Sequence, residues 1–166
     1  MKSKSYVKLG DLVDEITVGW VGTMSNEYVG EGIPFLRSLN VKPYEISFKN
    51  MKFISKEFHE KIKKSALHPG DVVVVRTGNA GTASLISDEL QIANCSDLVI
   101  IRPGEKIDGN FLVSYLNSKS GIDNIAGRLV GSVQSHFNIG DAKSLEIPNT
   151  SIDTQKKISN ILTTLK

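Results

Sequence analysis

The chain has 166 residues, 40% of them hydrophobic, and sets 20 Lys and Arg against 18 Asp and Glu for a formal charge of +2. That length supports one sizeable core and excludes two comfortable domains, while the near balance of charge permits a nucleic-acid partner without pointing to one. The single cysteine, Cys95, excludes an intramolecular disulfide and a Cys-rich zinc site; no run is apolar enough to cross a bilayer and residues 1–5 lead into no apolar signal segment, so a cytoplasmic protein is expected.

Residues 6–11 alternate apolar and polar, which predicts an edge strand or extended arm, and Leu9, Leu12, Val13 and Ile16 then fall at the spacing of a short helix. Between Thr17 and Ile33 no period survives: four glycines interleave with Trp20, Asn26 and Tyr28, predicting a long loop. Residues 34–41 predict a strand carrying Arg37 and Asn40, and residues 46–53 another strand or hairpin arm. Ser55 precedes Glu57, Phe58 and Ile62 as the cap of a helix over residues 55–65, whose lysines and glutamates form a solvated face.

The firmest local prediction is the stretch from Leu67 to Gly81. Val72, Val73, Val74 and Val75 read as a strand covered on both faces, because a strand exposed on one side would alternate apolar and polar residues. Pro69-Gly70-Asp71 supplies turn chemistry before it, and Gly78-Asn79-Ala80-Gly81 supplies residues tolerant of positive φ after it. Arg76, Thr77 and Asn79 therefore stand at the mouth of a rigid element.

Residues 82–86 and 98–101 predict two more core strands, joined by a loop over 88–96. Phe111, Leu112, Tyr115 and Leu116 predict a helix opening after Asp108 or Gly109, with a further helical turn over 122–128. Residues 131–137 alternate in a polar segment that suits a strand or an extended loop. A short helix over 139–145 and a short strand closed by Pro148 follow. Thr150-Ser151-Ile152-Asp153 has capping-box spacing, after which Ile158, Ile161, Leu162 and Leu165 form one apolar stripe of a terminal helix.

No catalytic constellation emerges. His59, His68 and His136 lack metal-ligand spacing, and Cys95 lacks a local activating base and reads as a buried thiol. Gly78-Asn79-Ala80-Gly81 lacks both the G-x-G-x-x-G and the Walker pattern and leads into a strand, so a hairpin turn is the better reading than a phosphate loop. What remains is a set of polar side chains on loops and strand ends: Trp20, Asn26, Arg37, Asn40, Arg76, Thr77, Asn79, Asn94, Arg128, Ser132, Gln134 and Ser135. Arg can bond guanine bidentately and Asn or Gln adenine, while hydroxyls and ammonium groups hold phosphates, so this set suits a DNA-binding face.

Several segments in order resemble one family, the DNA specificity (S) subunits of type I restriction-modification systems, in their target recognition domain. They are Val7-Lys8-Leu9-Gly10-Asp11-Leu12, the segment from Gly32 to Val41 around Pro34-Phe35-Leu36-Arg37, and the stretch from Leu67 to Gly81. Ile100-Ile101-Arg102-Pro103, residues 111–118, Gly131-Ser132-Val133-Gln134 and Leu145-Glu146-Ile147-Pro148 leading into residues 155–162 complete the series. The resemblance implies a mixed α/β (α+β) domain with a twisted sheet, several short helices and a C-terminal helix. Residues 1–149 would be the recognition domain and residues 150–166 the start of the family's long C-terminal helix.

It also implies a non-catalytic subunit that reads one half of a bipartite site in double-stranded DNA and positions methyltransferase (M) and restriction (R) subunits. No cofactor is expected on this chain; S-adenosylmethionine, ATP and Mg would sit on the partners. Arg76 to Asn79 match the family's glycine-rich turn, Gly131, Ser132 and Gln134 its other polar motif. Complete S subunits carry two recognition domains joined by long helices, so this chain would be a half-size subunit that dimerises, a truncated product or an excised domain. The rival reading is a protein-interaction module docking a partner through Trp20, Tyr28 and the stripe of Ile158, Ile161, Leu162 and Leu165. A standalone enzyme is the third.

Overall fold

The computed structural model describes residues 5–130, 133 and 136–165. Strand β1 (Tyr6–Lys8) runs into a 3-10 turn (Leu9–Asp11), then β2 (Glu15–Val18), β3 (Tyr28–Val29) and β4 (Ile33–Leu36). A second 3-10 turn (Ser38–Asn40) precedes β5 (Val41–Lys42), β6 (Glu45–Ile46) and β7 (Lys52–Ile54). Helix α1 (Lys56–Lys61), a third 3-10 turn (Lys63–Ser65), β8 (Ala66–Leu67), β9 (Val72–Val75), β10 (Ala83–Leu85), β11 (Ala93–Cys95) and β12 (Leu98–Arg102) follow. The chain ends with α2 (Gly109–Leu116), α3 (Lys119–Leu129), α4 (Ile139–Ser144), β13 (Glu146–Pro148) and α5 (Ile152–Thr164).

The architecture is mixed α+β, as expected, and β9 lies at its centre. In the four-stranded sheet β10-β9-β12-β2 every neighbouring pair is antiparallel. Val72 and Val74 face one core, with Val99, Ile101, Leu112, Phe137 and Leu145, under the helices. Val73 and Val75 face a second core with Leu98, Ile100, Leu36, Leu67 and Cys95, against the five-stranded sheet β3-β7-β4-β11-β8. All four valines are at most 3% exposed, so the unbroken apolar run is what a strand with two cores requires. The far face of the five-stranded sheet packs Ile33, Phe35 and Ile54 on Phe58 and Ile62 at and after α1. β1 pairs with β13, bringing the beginning of the chain beside the start of α5.

The hairpin turn is as the sequence predicts. Gly78 (φ +82°) and Gly81 (φ +96°) both adopt the left-handed region, and a Cβ on Gly81 would lie 2.8 Å from Ile125 of α3, so glycine there serves both turn and packing. Caps on α1 and α2 also fall where expected: Ser55 Oγ accepts from Phe58 N at 3.0 Å and Asp108 Oδ2 from Phe111 N at 2.9 Å. At α5 the cap is Ser151, one residue later than the capping box predicts. The helical turn over 122–128 is the middle of a longer helix.

Four expectations differ from the structure. Leu9 to Ile16 do not form a helix: Leu9 is buried at the start of a 3-10 turn, whereas Ile16 lies in β2 opposite Ile101, so their spacing is coincidental. Residues 17–33 contain β3 and the end of β2, and strand 34–41 stops at Leu36. Most informative is the supposed loop 88–96, which holds β11, parallel to β4 and antiparallel to β8. Asn94 at its centre disguises it.

Asn94 is fully buried yet fully used. Its Oδ1 accepts from Ser65 Oγ at 2.7 Å and from Cys95 N at 2.8 Å, while its Nδ2 reaches Ile62 O at 3.3 Å and His59 Nδ1 at 3.2 Å. Burial pulls the His59 pKa down, Glu60 raising it and Lys63 and His68 adding to the fall, so the neutral ring is the folded form. Burial also pushes the Cys95 thiol well up, as befits an inert core cysteine.

A group that binds its proton more weakly folded than unfolded costs stability as pH falls through its ordinary value. The parent should therefore lose stability between about pH 7.5 and about pH 5, around the ordinary imidazole value of about 6.5. Urea unfolding at the two pH values should show a smaller loss for His59→Gln; an equal loss would place the acid sensitivity elsewhere.

Candidate nucleic-acid interface

Where β9 ends, the chain leaves the core and meets other loops. Arg76 is held rather than free: its Nε donates to Phe137 O at 3.4 Å, and its Nη1 lies 3.4 Å from Asp97 Oδ1. Thr77 is exposed, and its hydroxyl lies 2.6 Å from Nδ1 of His136. Asn79 is also exposed; its carbonyl accepts from Thr82 N at 3.1 Å, leaving the side-chain amide outside the turn's own bonds. A cavity of about 380 Å³ brings Thr77, Asn79 and Thr82 together with Ser38 from the second 3-10 turn and Lys42 from β5. A second, of about 260 Å³, places Arg76 beside Asn138.

This end of the four-stranded sheet thus gathers donors and acceptors from three separate stretches of chain. The flanking groups His136, Asn138, Ser38 and Lys42 were missed in the sequence. They are distant in the chain, and only the antiparallel return to β9 and the Phe137–Arg76 bond bring them near.

Other candidates are spent on the fold. Asn40 is fully buried: its Oδ1 accepts from Arg37 N at 3.0 Å, and its Nδ2 donates to Ser47 O at 2.9 Å and Lys49 O at 3.2 Å. It clamps the 37–50 loop and is removed from any DNA face. Arg37 belongs to the same clamp, its Nη2 reaching Asn50 O at 2.6 Å. Arg128 ties α3 to α4, with Nη1 to Ser144 Oγ and Nη2 to Ser144 O, both at 2.7 Å. Asn94 belongs to the core network with Ser65 and His59.

Trp20 packs edge-on against Phe58, centroids 6.1 Å apart, and its Nε1 is withdrawn from solvent. Tyr28 packs on Phe35 at 6.0 Å, with Lys52 over its ring. The two aromatics therefore build the wall of the five-stranded sheet and do not form the docking face of the rival reading. Asn26 is exposed on the turn before β3, an edge strand of that sheet. Ser132, Gln134 and Ser135 lie outside the described residues.

At the opposite end of β9, Asp71 closes the Pro69-Gly70 turn by accepting from His68 N at 2.9 Å, and Arg102 bridges it to Glu15. Burial raises the Asp71 carboxyl above its usual range; the His68 N–H and the charges of Arg102 and His68 oppose this, and Glu15 adds to it. Among the described residues no group of three or more His, Cys, Asp or Glu is placed to hold a metal, and no helix is long and apolar enough to cross a membrane.

Helix α5 is anchored by its polar side. Gln155, 2% exposed, accepts from Asp108 N at 2.8 Å and donates to Thr150 O at 3.0 Å, and Ser159 is buried beside it. The apolar stripe faces outward: Ile158 and Leu162 are 38% exposed, Ile161 62% and Leu165 78%.

The type I restriction modification DNA specificity domain model matches residues 1–166. No curated protein sequence matches the chain. Among solved structures, a chain from work on complex assembly and conformational transition of the type I R-M system superimposes with a TM-score of 0.72 at 18% identity, covering 99% of this chain and 39% of that one. The HsdS subunit from Thermoanaerobacter tengcongensis gives 0.69 at 18%, covering 99% and 38%. The type I restriction-modification S subunit from M. genitalium gives 0.67 at 16%, covering 99% and 39%. These likenesses establish the fold, and the chain spans less than two fifths of each neighbour. On the match over its whole length, the chain belongs to the family of type I restriction-modification DNA specificity domains.

Proposed function

We propose that this domain reads one half of a bipartite target in double-stranded DNA through the loops at the C-terminal end of β9, and does no chemistry itself. The observation that carries the reading is the cluster of Arg76, Thr77 and Asn79 with His136 and Asn138, mounted on a strand buried on both faces. A rigid mount matters because base-edge readout is directional and loses its discrimination when donors and acceptors drift. Thr77 and Asn79 are the exposed readers; Arg76, 18% exposed and held by Phe137 O and Asp97, orients the turn and lends it charge.

We further propose that residues 1–149 are the recognition domain and that the helix from residue 150 begins the longer C-terminal helix of the family. Its outward stripe of Ile158, Ile161, Leu162 and Leu165 would take a second helix, from another recognition domain or a second copy, beside a methyltransferase (M) subunit. S-adenosylmethionine, ATP and Mg would belong to the M and restriction (R) subunits, in the cytoplasm where the DNA lies. The apolar face left open on a well-anchored helix supports this assignment.

Two substitutions of the same residue type separate reading from folding. Asn79→Ala should weaken binding to a selected duplex by about 1–3 kcal/mol while leaving the unfolding midpoint in place. Equal affinity of the variant and the parent for every duplex, measured by fluorescence anisotropy, would remove Asn79 from the interface. Asn40→Ala should behave in the opposite way, costing about 1–3 kcal/mol of stability because the loop carbonyls and the Arg37 amide lose their partner. Urea denaturation with an unchanged midpoint would refute the clamp.

A further inference from the structure

From the strand-end cluster runs a trough whose far end the base reading does not use. Two cavities of about 260 Å³ each share Val18 and Ile139 in their walls. The first contains Arg76 and Asn138; the second continues past Trp20 to the end of α1, where Lys61 and Lys64 form its rim.

These two lysines differ from the one between them. Lys63 is paired with Glu60 at 3.4 Å, whereas among the described residues Lys61 and Lys64 are both exposed and make no hydrogen bond or ion pair. The backbone carrying them is nevertheless fixed. Ile62 is 4% exposed in the core under α1, and the Ser65 hydroxyl sits between Ile62 O at 2.9 Å and Oδ1 of the buried Asn94 at 2.7 Å. Neither cavity has an acidic residue in its lining, and the two carboxylates bonded to lining residues are already engaged: Asp97 faces Arg76 at 3.4 Å, and Asp141 accepts from Asn138 N at 3.1 Å. Free ammonium groups thus stand on a rigid support at one end of a channel whose other end is the proposed reading cluster.

We infer that Lys61 and Lys64 hold backbone phosphates of the duplex as it runs on from the Arg76–Asn79 turn. This rests on the DNA reading proposed for that turn and extends it to sequence-independent contacts. Lysine suits such contacts, because a compact ammonium on a flexible stem neutralises a phosphate as a point charge but lacks the planar fork that reads guanine. The trough around the two side chains is lined mainly by Val18, Trp20, Val21, Ile62 and Ile139, and its two hydroxyl residues, Thr17 and Ser65, are buried, so it presents no pattern of base-edge partners.

The test is a salt titration of DNA binding by the 166-residue chain, using a random duplex and a duplex selected for tight binding. Lys61→Ala and Lys64→Ala should each weaken both duplexes by the same factor and lower the slope of log affinity against log salt by about 0.9. Lys61→Arg and Lys64→Arg should keep the parent slope. Lys156→Ala, at the far end of β9, should change nothing. An unchanged slope in both alanine variants, or a loss confined to one sequence, overturns the phosphate assignment while leaving the reading cluster standing. A parent chain with no salt-dependent affinity for either duplex overturns the DNA reading and the assignment with it.

Discussion

The rest of the molecule depends on the burial of β9 on both faces. Full burial of a valine side chain contributes about 1.5–3 kcal/mol against exposure, and compact denatured chains make that an upper figure. Four in succession, split between two cores, commit one strand to joining the helical layer and the five-stranded sheet. The strand can then end only in polar turns, since neither core has room to continue it. At one end Asp71 is tied to His68 and Arg102; at the other Arg76 is tied to Phe137 and Asp97. The polarity of the two ends differs in kind. The Asp71 end is closed by charges satisfying one another, while the Arg76 end offers Thr77 and Asn79 to solvent.

This division explains what was legible in the sequence. The valine run, the glycine turn and the caps at Ser55 and Asp108 could be read because each is local: its cause lies within a few residues of its effect. β11 and the Asn40 clamp could not. Asn94 bonds Ser65, Ile62 and His59, about thirty residues back, and Asn40 bonds carbonyls seven and nine residues on. Asn40 and Asn79 therefore look alike in a sequence, yet one side chain is buried and fully bonded and the other is exposed. A weak signal did exist for Asn94. It sits between Ala93 and Cys95, small apolar neighbours that favour the interior, and a polar residue in such a setting is a candidate for an internal network.

The same distinction sorts the arginines. Arg37, Arg76 and Arg128 all donate to main-chain carbonyls, a use for which the multiple donors of the guanidinium are well suited. Sequence reasoning that assigns arginines to base readout on chemistry alone counts such braces as readers. Lysines were overlooked for the converse reason. In the run from Lys56 to Lys64 they read as a solvated helical face, and only the position of the helix end beside Trp20 and Val18 separates Lys61 and Lys64 from Lys63.

A recognition domain must let its target-reading groups change without losing its fold, and this arrangement meets that demand physically. The side chains of Thr77 and Asn79 contribute no buried bond to the core; the turn they occupy is specified by Gly78, Gly81 and the strand on either side. Replacing them alters the surface at a rigid site, with stability effects expected within about 0.5 kcal/mol. The groups that hold the loops, Asn40, Arg76 and Arg128, bond to main chain, so they fix the loops whatever side chains stand at positions 77 and 79. Helix α5 is held in the same way. Gln155 fixes it through backbone groups of residues 106, 108 and 150, so the outward stripe carries none of the anchoring.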